Sequence, residues 1–312
     1  MKCKLWMPSA LYWVATLLAL AAVQEPYAGP LLYVSEGTVY VDVISSGGEV
    51  AHLPGFDPLG QPELPRGLAL SKDGTLYFAD GGLAELWKLP TGGYANSWLP
   101  TYPHWPSGLV IGNGNFFVAS FFGGFGLIDE ITPQGEMTTF AQLPRFAEPW
   151  GLAFNSIGNL FATDFHSHVY EMTPDGRVST FGTFSSSSAL TGIAFHSLGD
   201  LFVSDFEGSI YRIKPDGTES IYANLPAHSG VTGLAFDSKG NLYATEANLD
   251  TVVRITPSGE VTDFAHVWAP QFLLLAPQAS TVPDNSPTTL YLLFAGLSLF
   301  AVSQKWQPRF AN

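Results

Sequence analysis

GLAFDSKGNLYATEANLDTVVRITPSGEVTDFA, residues 233–265, restates what the chain has already written twice. Residues 192–223 read GIAFHSLGDLFVSDFEGSIYRIKPDGTESIYA, and residues 151–182 read GLAFNSIGNLFATDFHSHVYEMTPDGRVSTFG. The leading glycine recurs at Gly67, Gly108, Gly151, Gly192 and Gly233, at intervals of 41, 43, 41 and 41 residues. Each copy holds four short strand-like runs; in the last copy they are GLAFD, NLYATE, VVRITP and VTDFA. The third and fourth runs are joined by TPQGE, TPDGR, KPDGT or TPSGE. Proline fixes φ at the first corner of such a turn and glycine accepts positive φ at the next. A unit of about 40 residues with four strands is the size of one β-propeller blade. A phosphate-binding role for the glycines is excluded, because no helix is predicted after them.

Five full copies leave a ring open, and the remaining pieces close it. LLYVSEGTVYVDVISSGGEVAHL, from Leu31, matches the last three strands of a blade. Its first strand would start thirteen residues before Glu36, at Val23, inside an apolar N-terminal run. Counting 41 residues on from Gly233 reaches Leu274, in APQFLLLAPQ. The fold class expected is therefore all-β: a six-bladed β-propeller of four-stranded blades over residues 29–278, its first blade closed by a C-terminal strand that removes exposed edges.

Composition agrees, and it narrows the partners. Charged residues make up 13% of the chain, while 32 Gly and 23 Pro punctuate a 46% hydrophobic sequence, a profile of short strands and tight turns. The net charge of -14, with no basic cluster, argues against nucleic acid as a partner. Residues 1–28 read as a signal peptide and linker: Lys2 and Lys4, an apolar run over 11–23, and Ala19 and Ala21 in an A-x-A arrangement. Cys3 precedes the apolar run, so the exported protein has no disulfide. At the other end, residues 279–286 read as a Pro-rich linker and 287–312 as an anchoring tail, with an uncharged segment over 287–304 followed by Lys305 and Arg309. Val282, Pro283 and Asp284 ahead of that segment resemble the Val-Pro-Asp variant of the PEP-CTERM sorting signal. That resemblance implies a bacterial, exported, surface-associated protein, held transiently at the membrane by the C-terminal helix and processed by a sorting enzyme.

The copies themselves resemble NHL-repeat propellers and the gluconolactonase (senescence marker protein) superfamily. GNLYATEANLDTVVRITPSGEVTDF is similar to the streptogramin (virginiamycin B) lyase repeat. The likeness covers about four fifths of the chain and specifies the fold more than the function, since propellers carry unrelated activities.

Function in such a ring is expected at one mouth of the channel, where two positions per blade converge. One set is Arg66, Ser107, Trp150, Thr191 and Thr232; the other, ending the second strand, is Glu36, Asp80, Ser120, Asp164, Asp205 and Glu246. The gluconolactonase resemblance implies Asn and Asp in the first set, holding a divalent metal by oxygen. Trp150, Thr191 and Thr232 stand there instead. The lyase resemblance implies a strand-end Glu, a metal and a histidine base. Glu246 matches that Glu, and ATDFHSH sets Asp164 two residues before His166. Asp164, His166 and Glu246 are thus candidate catalytic residues, and Asp164, His166, Asp205 and Glu246 candidate ligands for Mg²⁺ or Ca²⁺. The acidic ring also has a structural reading, because Asp or Glu at a strand end accepts backbone hydrogen bonds from the turn.

Aromatic residues break the repeat. Tyr102, Trp105 and Trp150 approach the mouth, and SFFGGFG replaces the acidic turn of the third blade. Tyr102, Trp105, Phe122, Trp150 and Arg66 are the candidate ligand-binding residues, for a small molecule or glycan. The function expected is a non-enzymatic binding propeller; the alternative is a metal-assisted lyase or hydrolase.

Overall fold

The computed structural model describes residues 32–55, 62–184 and 189–276. They form six four-stranded antiparallel sheets, with no helix among the described residues. From the channel outward, blade 2 is Pro65–Leu70, Leu76–Asp80, Glu85–Leu89 and Asn96–Pro100; blade 3 is Trp105–Gly112, Asn115–Phe122, Phe125–Ile131 and Met137–Arg145. Blade 4 is Pro149–Phe154, Leu160–Asp164, His168–Met172 and Val178–Thr183; blade 5 is Leu190–Phe195, Leu201–Asp205, Ser209–Ile213 and Glu219–Asn224. Blade 6 is Val231–Phe236, Leu242–Glu246, Thr251–Ile255 and Val261–His266. Blade 1 takes Leu32–Glu36, Val41–Ile44 and Val50–His52 from one end of the chain and its inner strand, Pro270–Leu275, from the other.

The expected C-terminal closure is present. Leu32, Tyr33 and Val34 pair antiparallel with Leu275, Leu274 and Leu273, and Pro270–Leu275 lies between the inner strands of blades 6 and 2. The last interval is shorter than the repeat suggests, because Phe272 and not Leu274 occupies the place of the repeated glycine. The regions over 1–28, 279–286 and 287–312 lie outside the described residues, among which no helix is long and apolar enough to cross a membrane.

Alternation explains the packing. Inward residues of one sheet meet those of the next, as Phe117, Ala119, Ile128 and Leu143 of blade 3 meet Leu160, Ala162, Tyr170 and Met172 of blade 4. Six such clusters, each drawn from two neighbouring blades, replace a single core. The repeated glycine is a requirement of close approach between inner strands. A Cβ on Gly67 would lie 2.2 Å from Leu109 N, and one on Gly108 2.3 Å from the Trp150 carbonyl oxygen. At the same place every inner strand carries a register shift against its neighbour. Such a bulge re-aims the side chain beside it, and this sets what reaches the channel mouth.

Candidate functional site

The mouth is the end of the channel where the inner strands begin and where the second strands finish. Its first ring divides into two roles. Ser107, Thr191 and Thr232 are buried, and they join blades in place of facing a ligand. Ser107 Oγ donates to the Pro149 carbonyl at 2.8 Å, Thr191 Oγ1 donates to the Val231 carbonyl, and Thr232 Oγ1 donates to the Pro270 carbonyl at 3.2 Å. A second row of hydroxyls does the same: Thr163 Oγ1 donates to the Thr191 carbonyl at 2.7 Å, and Thr245 Oγ1 to the Gln271 carbonyl at 3.0 Å. Only Arg66, Trp150 and, from the closing strand, Gln271 retain solvent exposure at these positions.

Trp150 is not the exposed platform the sequence suggests. Its ring stacks on Phe272 (centroids 5.5 Å, 26°) and meets the edge of Phe165 at 4.8 Å. The Arg66 guanidinium lies 4.8 Å from its centroid. Burial lowers the Arg66 pKa, and Asp80 partly offsets this. Phe272 belongs to blade 1 and Trp150 to blade 4, so the stack spans the ring and obstructs the channel. Beside it the channel is lined by residues such as Leu109, Leu152, Ile193, Leu234 and Leu273, around a cavity of about 130 Å³. Glycine backbone and apolar side chains together line a narrow bore, and the only side-chain nitrogen of Trp150, Nε1, has no hydrogen-bond partner among the described residues.

The strand-end carboxylates also divide. Asp80 accepts the N–H groups of Glu63, Leu64, Gly82 and Leu83. Asp205 accepts those of Glu207, Gly208 and Ser209, with the Tyr211 hydroxyl. Asp164 accepts from His166 N, His168 N and the Tyr170 hydroxyl. These carboxylates are occupied in fixing turns. Glu246 is buried with its Oε1 unpaired among the described residues; burial raises its pKa, the nearby Ser229 hydroxyl opposes this, and Asp263 adds to the rise. Ser229 Oγ has no other partner among the described residues.

The candidate catalytic and metal residues Asp164, His166, Asp205 and Glu246 do not stand together in this structure. Asp164 and His166 adjoin, but no three of Asp164, His166, Asp205 and Glu246 bring ligand atoms within 4.8 Å of one another. Threonine hydroxyls committed to carbonyls occupy places where the gluconolactonase pattern has Asn or Asp. The mouth residues do not fit the metal which that resemblance implies. Among the described residues one group does meet the distance condition, Glu36, Asp42 and His52 on blade 1. Sequence reading named Glu36 alone. The available signal was Asp42 in VYVDVI, at the register position where blades 2, 4, 5 and 6 carry Trp87, Tyr170, Tyr211 and Val253. Burial pushes the Glu36 carboxyl up to about 7; Thr38 and His52 oppose the rise, and Asp42 adds to it.

Blades 3 and 4 hold the other concentration of chemistry. Tyr102, Trp105, Phe122 and Phe146 are 75, 48, 44 and 60% exposed. Trp105 pairs with Phe121 across the inner strands, and Phe122 pairs with Phe125 at the Gly123–Gly124 turn. Phe146 N donates to the Gly124 carbonyl at 2.8 Å, so its ring flanks the same turn. His104 stacks on Phe122 (5.5 Å, 29°), and its Nδ1 lies 2.8 Å from Asp129 Oδ2. Ser120 donates to that same oxygen at 2.7 Å, which makes Asp129 the hub and leaves Ser120 unpaired with the imidazole. Arg145 lies over Phe146 at 5.0 Å. From there a cleft of about 210 Å³ opens, lined by Arg145, Phe146, Asp164, His166, His168 and Tyr170. Sequence reading found Tyr102, Trp105, Phe122, Asp164 and His166 here and missed Phe146, Arg145 and the role of Asp129.

No protein-family model matches the chain, and no curated protein matches it in sequence. Solved structures share its fold. A catalytically inactive histidine variant of virginiamycin B lyase from Staphylococcus aureus with quinupristin superposes with a TM-score of 0.59 at 18% identity, over 76% of this chain and 84% of that one. A gluconolactonase from Xanthomonas campestris gives 0.58 at 15% identity, over 68% and 82%. A chain of a nidogen/laminin complex gives 0.68 at 15% identity, over 80% and 99%. Similarity at this level establishes the six-bladed propeller. It leaves the activity to be argued from the site.

Proposed function

We propose that this chain is a non-catalytic, exported propeller that binds a ring-bearing ligand, a saccharide or similar planar small molecule, on the mouth-side surface of blades 3 and 4. The observations that carry this reading are the exposed rings of Tyr102, Trp105, Phe122 and Phe146 on the mouth-side loops and strand ends of blade 3, and the cleft that Phe146 and Arg145 form with His166 and His168 of blade 4. Exposed rings offer stacking area, and the cleft supplies a few convergent polar groups, the composition of ligand sites in general. Phe146 and Ser167, on either side of the cleft, have φ of 68° and 66°, and Ala84, His228 and Asp250 in corresponding turns of other blades have 55°, 60° and 53°, so the left-handed backbone belongs to the turns of the ring. The nidogen/laminin neighbour is consistent with this fold serving in binding. Export and surface attachment rest on the leader and tail read in residues 1–28 and 279–312.

Metal-assisted elimination or hydrolysis is the second reading; the binding reading is preferred to it because Asp164, His166 and Glu246 do not bring their ligand atoms within 4.8 Å of one another. The test is a panel of oligosaccharides titrated against the full chain, followed by tryptophan fluorescence and calorimetry. Trp105→Ala with Phe122→Ala is expected to weaken binding about tenfold or more, since each stacking contact contributes about 1 kcal/mol beyond buried area. Unchanged affinity in the double variant would place the ligand elsewhere.

A further inference from the structure

The Glu36–Asp42–His52 group belongs to neither the aromatic surface nor the channel, and it sits on the blade that closes the ring. Glu36 ends the second strand of blade 1, Asp42 lies on the third and His52 ends the fourth. His52 Nδ1 is 2.5 Å from Asp42 Oδ1 and 3.9 Å from Glu36 Oε1. Both carboxylates are more than nine-tenths buried, while the His52 side chain is 63% exposed. Two neighbours fix the orientation. Thr38 Oγ1 donates to Glu36 Oε2 at 2.6 Å, which turns Oε1 toward the cluster, and the Tyr40 ring stacks on His52 at 4.9 Å. The ligand atoms of the three side chains lie within 4.8 Å of one another, and Glu36 Oε1 faces Asp42 and His52 in place of the turn N–H groups that the corresponding Asp80, Asp164 and Asp205 accept.

We infer that Glu36, Asp42 and His52 form an open binding site for a divalent transition cation of the Zn²⁺ type, which clamps the outer strand of the closing blade to its inner half. The ligand chemistry selects the ion: an imidazole nitrogen with two carboxylates suits Zn²⁺ and its neighbours, whereas Mg²⁺ and Ca²⁺ prefer oxygen alone. Ligand bonds of about 2.0–2.1 Å in tetrahedral geometry place neighbouring donors about 3.3 Å apart. The present separations of 2.5 and 3.9 Å bracket that distance, and the exposed His52 ring can adjust by a small rotation. Three protein ligands leave one position to water or solute. The oriented Thr38 and Tyr40 contacts are the outer partners that such ligands use. Because Gly37 N donates to the Ala269 carbonyl at 2.8 Å, one residue from Glu36, the clamp acts directly beside the junction of the two chain ends.

The experiment titrates the full chain with Zn²⁺, Co²⁺, Mg²⁺ and Ca²⁺, reading stoichiometry by calorimetry and Tm by fluorescence. Expected are one high-affinity Zn²⁺, a Co²⁺ absorption spectrum of low coordination number, a rise in Tm with either ion, and no response to Mg²⁺ or Ca²⁺. His52→Ala is expected to weaken binding about tenfold or more and to abolish the rise in Tm; its Tm in chelator falls as well, because the buried Asp42 carboxylate loses a partner, so the ion-dependent difference in Tm is the readout. Asp42→Asn, which keeps the side-chain shape, is a second variant expected to lose the ion. A Zn²⁺ response that survives His52→Ala and Asp42→Asn, or no stoichiometric binding in the unaltered chain, would overturn the assignment.

Discussion

Phe146 holds a large exposed ring on a backbone at φ 68°, a conformation that favours glycine. Phe146→Gly relieves the left-handed strain and removes the ring. It should leave stability unchanged or raised by up to about 1 kcal/mol in urea denaturation, while oligosaccharide affinity falls. A stability loss above 2 kcal/mol would instead make the ring part of the packing. Glu246 offers a second residue-level test through pH. Its folded pKa is raised, so the folded state holds the proton more tightly than the unfolded chain. That contribution is fully present below the ordinary value of 4.5 and is lost as pH rises through the higher folded value. Glu246→Gln cannot titrate, so the stability of the variant relative to the unaltered chain should increase between pH 4.5 and neutral pH; a constant difference would contradict the buried, unpaired carboxyl. Trp150 shows what a single position in the repeat leaves out. Its place in the repeat put it at the mouth, but only the fold shows Phe272 arriving from the opposite blade to cover it.

At the level of strands, much was legible because the period of 41 and the four-run parse are imposed by hydrogen bonding and turn chemistry, which act locally. Strand ends were legible for the same reason: Asp80, Asp164 and Asp205 fix the turns that follow them, as a repeated carboxylate suggested. The hydroxyl links between blades were not legible. Ser107, Thr191 and Thr232 look like mouth residues in the sequence, and their acceptors lie 38 to 42 positions away. Thr191→Val keeps the shape and leaves the Val231 carbonyl only the 3.5 Å contact from Ser204 Oγ, so it should cost about 1–3 kcal/mol by urea denaturation; a neutral result would show that Ser204 takes over the bond. Truncation after Trp268 removes Pro270–Leu275 and reopens the ring, exposing two strand edges. The truncated chain should lose cooperative unfolding, and a Tm within a few degrees of the full chain would contradict closure by that strand.

For the molecule as a whole, the ring explains how a chain with 13% charged residues and no single core holds together: six interfaces each bury the faces of two sheets. Its symmetry makes departures from the repeat informative. Blade 3 departs in its aromatic turn and in the Asp129–His104 pair, blade 4 in the histidines of its cleft, and blade 1 in its carboxylate–histidine group. Whether blades 3 and 4 carry the binding surface is read from backbone amide chemical shifts of the isotope-labelled chain, recorded as the oligosaccharide panel is added. A binding saccharide should shift amides around Tyr102–Trp105, Phe121–Phe125 and Phe146 and around His166–His168, with blades 1, 5 and 6 unmoved. Shifts centred on Arg66, Trp150 and the channel, or saturable binding with no change in blades 3 and 4, would contradict a binding surface on these blades.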